Sequence, residues 1–313
     1  MVSRVSATGT LSQNLFLINS GQSKLNKLNY SLGTGNKFEE LKFYGKDSTR
    51  IVDLRKDIEA RNAYTNSIDI TESTTDSYDT ILERLVEVAT DALNAAEPLS
   101  TNDVDFPNTT TVLANNFMLE VEANLNIKLG DRFIFAGTNF SDAPVRDLRT
   151  LSLYNNTDLG SAPAAANVIE TADTLPEHVV DAGGAATTES YHTGFTAAGT
   201  VDSNAYEQMK VTIADAQSIS YNITANEPAF QNLIEGLLRL KSAAQDGLTE
   251  PEREEFLGEA RNTLDNARIE LRQLQARNGT VINELSRTKE VHTNFINIAQ
   301  SALTDLTVAN DAE

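Results

Sequence analysis

The chain has no cysteine and no tryptophan in 313 residues. Without cysteine there can be no disulfide, no thiolate nucleophile and no thiolate metal site. Aromatic residues are sparse as well, 12 Phe and 8 Tyr, which suits helix seams filled by Leu, Ile and Ala better than one large compact core. No stretch approaches the roughly 18 uninterrupted apolar residues of a bilayer-spanning helix. Near the N-terminus the longest apolar run, Leu15-Phe16-Leu17-Ile18, is too short for the apolar region of a cleaved secretory signal. The chain is therefore expected to be cytoplasmic or to leave the cell by a route that reads no such signal. Cations are scarce too: 25 basic residues against 45 acidic ones give a formal charge of −20. Such a polyanion is repelled by nucleic acid and by anionic lipid, so neither nucleic acid nor membrane insertion is expected.

Proline is missing from both ends. None of the seven precedes Pro98, and only Pro251 follows Pro228. Proline breaks helix interiors but is tolerated in a first turn, so the ends are expected to be helical and the middle to hold loops and sheet.

What the ends contain is a heptad stripe. Leu257, Ala260, Leu264, Ala267, Leu271, Leu274, Asn278, Val281, Leu285, Thr288, His292, Phe295, Ala299, Ala302, Leu306 and Ala309 step 3,4 without losing register. That spacing keeps one narrow apolar face toward a partner along a rod of about 80 Å. A capping box, Thr249 to Glu252, is expected to start this helix, with Pro251 in its first turn. A first helix over residues 5–32 places Leu11, Leu15, Ile18, Leu25 and Leu32 on one stripe, with Gly33 and Gly35 as its stop. A second, over residues 48–96, carries Ile51, Leu54, Ile58, Ile68, Leu82, Val86, Ala89, Leu93 and Ala96, interrupted by polar slots near Arg61, Thr65, Glu72 and Thr75. A third, over residues 110–129, is apolar nearly all round and should be buried by neighbours, with Gly130 ending it. Helix resumes after Asn226, with Phe230, Leu233, Leu237 and Leu240 on one face and Gly247 closing it.

Residues 133–227 differ, with three basic residues against twelve acidic ones. Met209-Val211-Ile213 and Ile219-Tyr221-Ile223 alternate with polar residues around Ala214-Asp215-Ala216-Gln217, a hairpin pattern. Residues 160–199, with Gly183-Gly184, are expected to be loops or poorly ordered. The fold class is thus mainly α with a β insert: an elongated, antiparallel, coiled-coil-like bundle of both chain ends, with a small β-rich module between them. The divisions are 1–47 for a first helix and linker, 48–137 for the N-terminal part of the bundle, 138–225 for the insert and 226–313 for the C-terminal part.

No catalytic constellation emerges, and no catalytic, cofactor or metal residue is assigned. His178, His192 and His292 lie in unrelated contexts. There is no His-Glu-x-x-His pair, no Gly-x-x-x-x-Gly-Lys loop and no Gly-x-Ser-x-Gly elbow. His292 sits in a seam slot as a register-setting polar residue, and His178 and His192 are expected at the surface. Asp103 and Asp105 lack the Gly and the distal Glu of a calcium loop. Asn-x-Ser/Thr triplets are no more frequent than a chain rich in Asn and Thr produces.

Certain short segments resemble the flagellin superfamily. Arg4-Val5-Ser6 is similar to its opening, and Ser31-Leu32-Gly33-Thr34-Gly35-Asn36-Lys37 to its Ser-x-Gly-x-(Lys/Arg) helix stop. Arg132-Phe133-Ile134-Phe135-Ala136-Gly137, after an apolar helix, resembles the signature of the hook-associated, hook-filament junction branch rather than filament flagellin. The resemblance implies a non-enzymatic axial subunit without cofactor, exported unfolded by the flagellar type III apparatus with an export chaperone. Its implied partners are copies of itself in an axial ring, another hook-associated protein and flagellin. Two departures stand out. After Lys37 the family's Asn-Pro-Ser-Asp-Asp-like stretch is replaced by Phe38-Glu39-Glu40-Leu41-Lys42-Phe43-Tyr44, so the link to the second helix is expected to be built differently. Relatives also enter their terminal inner helix about where this chain reaches Asp311-Ala312-Glu313, which would leave the first helix without its partner. On this reading Leu11, Leu15, Ile18, Leu25 and Leu32 serve inner-helix assembly. Leu264, Leu271, Leu274, Val281, Leu285 and Phe295 serve the bundle. Filament flagellin and a secreted adhesin with a binding insert are the competing readings.

Overall fold

The computed structural model describes residues 3–97, 99, 101, 103–151, 153–154, 178–181, 186–189, 191–193, 204 and 207–308. Five helices dominate: α1 (Ser3–Thr34), α2 (Asp47–Ala96), α3 (Phe106–Leu125), α4 (Pro228–Ser242) and α5 (Glu250–Thr307). Two short 3-10 helices, Leu41–Tyr44 and Leu148–Thr150, and three antiparallel two-stranded ladders complete the described elements: β1 (Lys128–Leu129) with β2 (Arg132–Phe133), β3 (His178–Asp181) with β4 (Ala186–Glu189), and β5 (Lys210–Ala214) with β6 (Gln217–Ser220). The architecture is mainly α, a helical bundle with a small β insert.

The chain divides into two compact units, Met1–Asn66 with Thr288–Glu313, and Ser67–Arg287. The second unit holds the main core, built from α2, α3, α4 and the first half of α5 around Tyr78, Leu82, Met118, Phe135, Phe230, Leu237, Leu264 and Leu271. In it α2 and α5 run antiparallel. Ile68 shares a cluster with Leu285, and Thr75, seven residues on, accepts through its carbonyl from Asn278 Nδ2, seven residues back, at 2.8 Å. Seven-residue steps in opposite directions are what a heptad seam produces when two helices pair antiparallel. The polar slots of α2 do not interrupt the helix, because Thr65, Thr71 and Thr75 bond back to carbonyls one turn earlier.

The helix ends show which local signals acted. Gly35, at φ +73°, closes α1, its N–H bonding the Ser31 carbonyl at 2.8 Å. At the start of α5, Glu252 Oε2 accepts from the Thr249 N–H and hydroxyl at 2.7 and 2.8 Å, with Pro251 inside the first turn.

Four expectations need correction. The third helix starts four residues early, at Phe106 with Pro107 in its first turn, and ends at Leu125, capped by the Asn126 N–H on the Glu122 carbonyl. Gly130 is no helix stop; at φ +63° it turns the β1–β2 hairpin. Nor is that helix buried all round: Ala114, Met118, Val121 and Leu125 are inside, while Val112 and Leu119 face solvent. Part of the stretch expected as loops is the β3–β4 hairpin, and the rest of it lies largely outside the described residues.

The hairpin expected around Ala214 forms, with Asp215-Ala216 at its tip and Val211 facing Ile219 across the ladder. Its apolar face packs on Ile68 of α2 and Leu285 of α5, with Tyr221 and Val281 at the margin. Ala216 sits at φ +58°, the one described non-glycine residue in the left-handed region.

Candidate assembly surfaces

The seam on α5 is as narrow as its spacing requires. Leu264, Leu271 and Leu285 are fully buried and Leu274 nearly so, whereas Val281 and Phe295 are half-buried. Asn278 and His292 occupy their slots buried and bonded. Within the first unit, Arg61 donates from Nη1 to His292 Nδ1 at 2.9 Å, the imidazole stacks on Tyr64, and the same guanidinium lies 3.8 Å from the Phe295 ring centroid. An acceptor at Nδ1 puts the proton of a neutral ring on Nε2. These seam residues are core of the chain's own bundle. Ala309 lies outside the described residues.

The stripe on α1 behaves differently. Leu11, Leu15, Ile18, Leu25 and Leu32 are between 54% and 80% exposed, and Phe16, Leu17 and Leu28 beside them are open as well. The helix contains Arg4, Lys24 and Lys27 and no acid, in a chain whose net charge is −20. An exposed apolar surface of this extent on a described helix is the ordinary mark of an interaction face. Past it, Phe38, Phe43 and Tyr44 cluster, Tyr44 Oη bonding the Phe38 carbonyl at 3.1 Å. The linker is tied to the end of α5: the Lys37 N–H meets the Thr307 carbonyl at 2.7 Å, and Asn36 bridges Val308.

The hexapeptide Arg132–Gly137 anchors the insert on the bundle. Ile134, Phe135 and Ala136 are buried. Phe135 packs on Tyr78 and edge-on to Phe230, and its carbonyl accepts from the Ala225 N–H at 2.9 Å. The Tyr78 hydroxyl donates to the Ile134 carbonyl at 2.6 Å, and burial pushes its pKa well above the ordinary tyrosine value. Gly137, at φ +62°, lets the chain turn away to pair Thr138 with Asn204. Entry and exit of the insert thus meet on the same aromatic stack, which is why Phe and Gly are needed at these places.

Arg132 and Phe133 face outward instead. Together with Ile70 and Ser73 of α2, Leu129, Phe140, Met209 and Tyr221 they line a cavity of about 680 Å³. Its chemistry is mostly apolar, with Asp69 as its acid and Arg132 as its cation, the guanidinium lying 4.6 Å over the Phe140 ring.

Two polar features escaped the sequence reading. His192, expected at the surface, is 1% exposed, and burial lowers its pKa to about 4. Arg239, 2% exposed, is gripped by Glu235 at 2.7 Å and by Glu259, while the Tyr154 hydroxyl donates to Glu235 and the Tyr154 ring lies 4.7 Å under the guanidinium. Burial alone would lower the Arg239 pKa, but the two carboxylates outweigh it and hold it raised. This network pins the early part of the insert, at Tyr154, to α4 and α5. An i,i+4 Glu–Arg pair reads as a surface pair in the sequence, and Tyr154 lies 81 residues away from Glu235. For His178, only the backbone lies within the described residues.

Among the described residues no group of three or more His, Asp and Glu is placed to hold a metal ion, and no helix is long and apolar enough to cross a membrane. What the geometry defines is a helical bundle with an anchored hairpin insert, an uncovered apolar helix and an open apolar groove. No protein-family profile and no curated protein matches the chain. Among solved structures, a "putative flagellar hook-associated protein" from Vibrio parahaemolyticus shares the fold with a TM-score of 0.55. The match covers 83% of this chain and 97% of that one at 13% identity.

Proposed function

We propose that this chain is a non-enzymatic structural subunit of the bacterial flagellum, placed where the hook meets the filament. The observation that carries the reading is the fold shared over nearly the whole of a hook-associated structure. The Arg132–Gly137 signature supports the junction branch, and the open apolar stripe of α1 supports assembly through that helix. On this reading the subunit is exported unfolded through the type III apparatus, guarded by a chaperone. It then forms a ring with its own copies between another hook-associated protein and flagellin.

Deleting the gene should leave cells with hooks but no filaments and with flagellin lost to the medium. Normal filaments on the deletion strain would overturn the junction role. Purified full-length protein should form no long fibres under negative stain; fibres would make it a filament flagellin instead.

A further inference from the structure

The groove beside Arg132 has a counterpart on the same chain. Its floor is apolar, with Ile70 of α2 72% exposed and Leu129 of the β1–β2 hairpin 41% exposed. The Phe133 N–H bonds the Phe140 carbonyl at 3.2 Å, which holds both aromatic walls in place, and the Arg132 guanidinium lies over Phe140. The groove is roomier than a single apolar side chain requires, with a volume of about 680 Å³. Asp69 lines it as well, and the Arg132 guanidinium over Phe140 is the group that would meet a carboxylate brought from outside.

The turn before α3 offers that chemistry. Val104 is 93% exposed, the most exposed of the large apolar residues described, and stands between Asp103 and Asp105. Its position is braced rather than loose. The Asp103 carboxylate accepts from the Asp105 N–H at 3.1 Å, the Phe106 N–H bonds the Asp103 carbonyl at 3.1 Å, and buried Phe106 roots the turn in the core. Thr101 adds a tie to Glu254 of α5 at 3.1 Å. A rigid apolar knob flanked by two carboxylates is complementary to an apolar socket with a guanidinium on its rim.

The knob does not reach its own socket. Ile70 and Ala96 both lie on the continuous helix α2. At a rise of about 1.5 Å per residue, the helix alone separates them by about 39 Å. We propose that the Asp103-Val104-Asp105 turn of one copy docks in the Arg132 groove of a second copy. Two different patches meet in such a contact, so it is heterologous, and repetition gives either a closed ring or an open stack. It does not depend on the flagellar reading and is tested on purified protein.

The absence of cysteine makes the test direct. Full-length Val104→Cys and Leu129→Cys proteins are mixed under mild oxidation and run without reductant, after circular dichroism shows that each keeps the parent's helicity. The mixture should give a mixed dimer at least tenfold in excess of the dimers formed by either variant alone. Adding Arg132→Glu to the Leu129→Cys protein should reduce that yield about tenfold, and Asp103→Arg with Asp105→Arg on the Val104→Cys protein should restore it. Mixed-dimer yield no greater than that of the single variants would overturn the proposal. So would cross-linking of Leu129→Cys only to itself, which would make the groove a two-fold contact, or yields indifferent to both charge changes.

Discussion

Single positions carry measurable strain and charge. Ala216 sits in the left-handed region, at φ +58°. That conformation costs a residue with a Cβ roughly 1 to roughly 2 kcal/mol. Glycine escapes the cost but loses about 0.5–1 kcal/mol of extra chain entropy on folding. Ala216→Gly should therefore stabilise the protein by about 0.5–1 kcal/mol, read as a higher denaturant midpoint at unchanged slope. His192 has the ordinary histidine pKa near 6.5 in the unfolded chain and about 4 when folded, because its site is dry. Below pH 6.5 the unfolded state takes up the proton first, so stability falls as pH drops from 6.5 to 4 and this contribution flattens below. The size is about 3 kcal/mol. Urea unfolding across that window should show the loss in the parent and not in His192→Gln; equal slopes would mean that another group titrates. His192 was illegible in the sequence because a lone histidine in an acidic, irregular segment has no period to reveal its side.

At the scale of elements, α4 and α5 meet where a glycine lets them. A Cβ at Gly236 would lie 2.7 Å from Leu264 Cγ. The helix therefore accepts a poor helix former in order to approach the seam. Gly236→Ala should cost about 1–3 kcal/mol by overpacking, and adding Leu264→Ala should make the two changes strongly non-additive in thermal unfolding. Arg239→Met leaves Glu235 buried without its cation and should cost about 3–5 kcal/mol, part of it regained with Glu235→Gln. The sequence made the long elements legible. Leu257 to Leu306 keeps a 3,4 step that only a seam explains, and Val211, Ile213 and Ile219 alternate as a half-buried hairpin must. Boundaries were harder: Pro107 hid the start of α3 by standing inside its first turn, and Gly130 looks the same in sequence as a helix stop and as a hairpin turn. The Arg239 network joins segments that lie 81 residues apart, which no local pattern encodes.

For the whole molecule the two stripes differ in where they face: one is core and the other is open. Leu274 and Leu285 are buried in the chain's own bundle, whereas Leu11 is 62% and Leu25 60% exposed. Leu274→Asp with Leu285→Asp should unfold the purified protein, because each puts a charge into a dry seam. Leu11→Asp with Leu25→Asp should leave its melting temperature within about a degree and, on the proposed junction role, abolish filament attachment in cells. Normal motility with the second pair would detach α1 from assembly. The tie between Lys37 and Thr307 has a mechanical side. A pull on α1 does not travel first through the aromatic linker; it is handed across to the tail of α5 by a backbone hydrogen bond and the Asn36–Val308 bridge. Those bonds put the segment between Phe38 and Lys46 in parallel with a second route, so tension on α1 would load it fully only once they part.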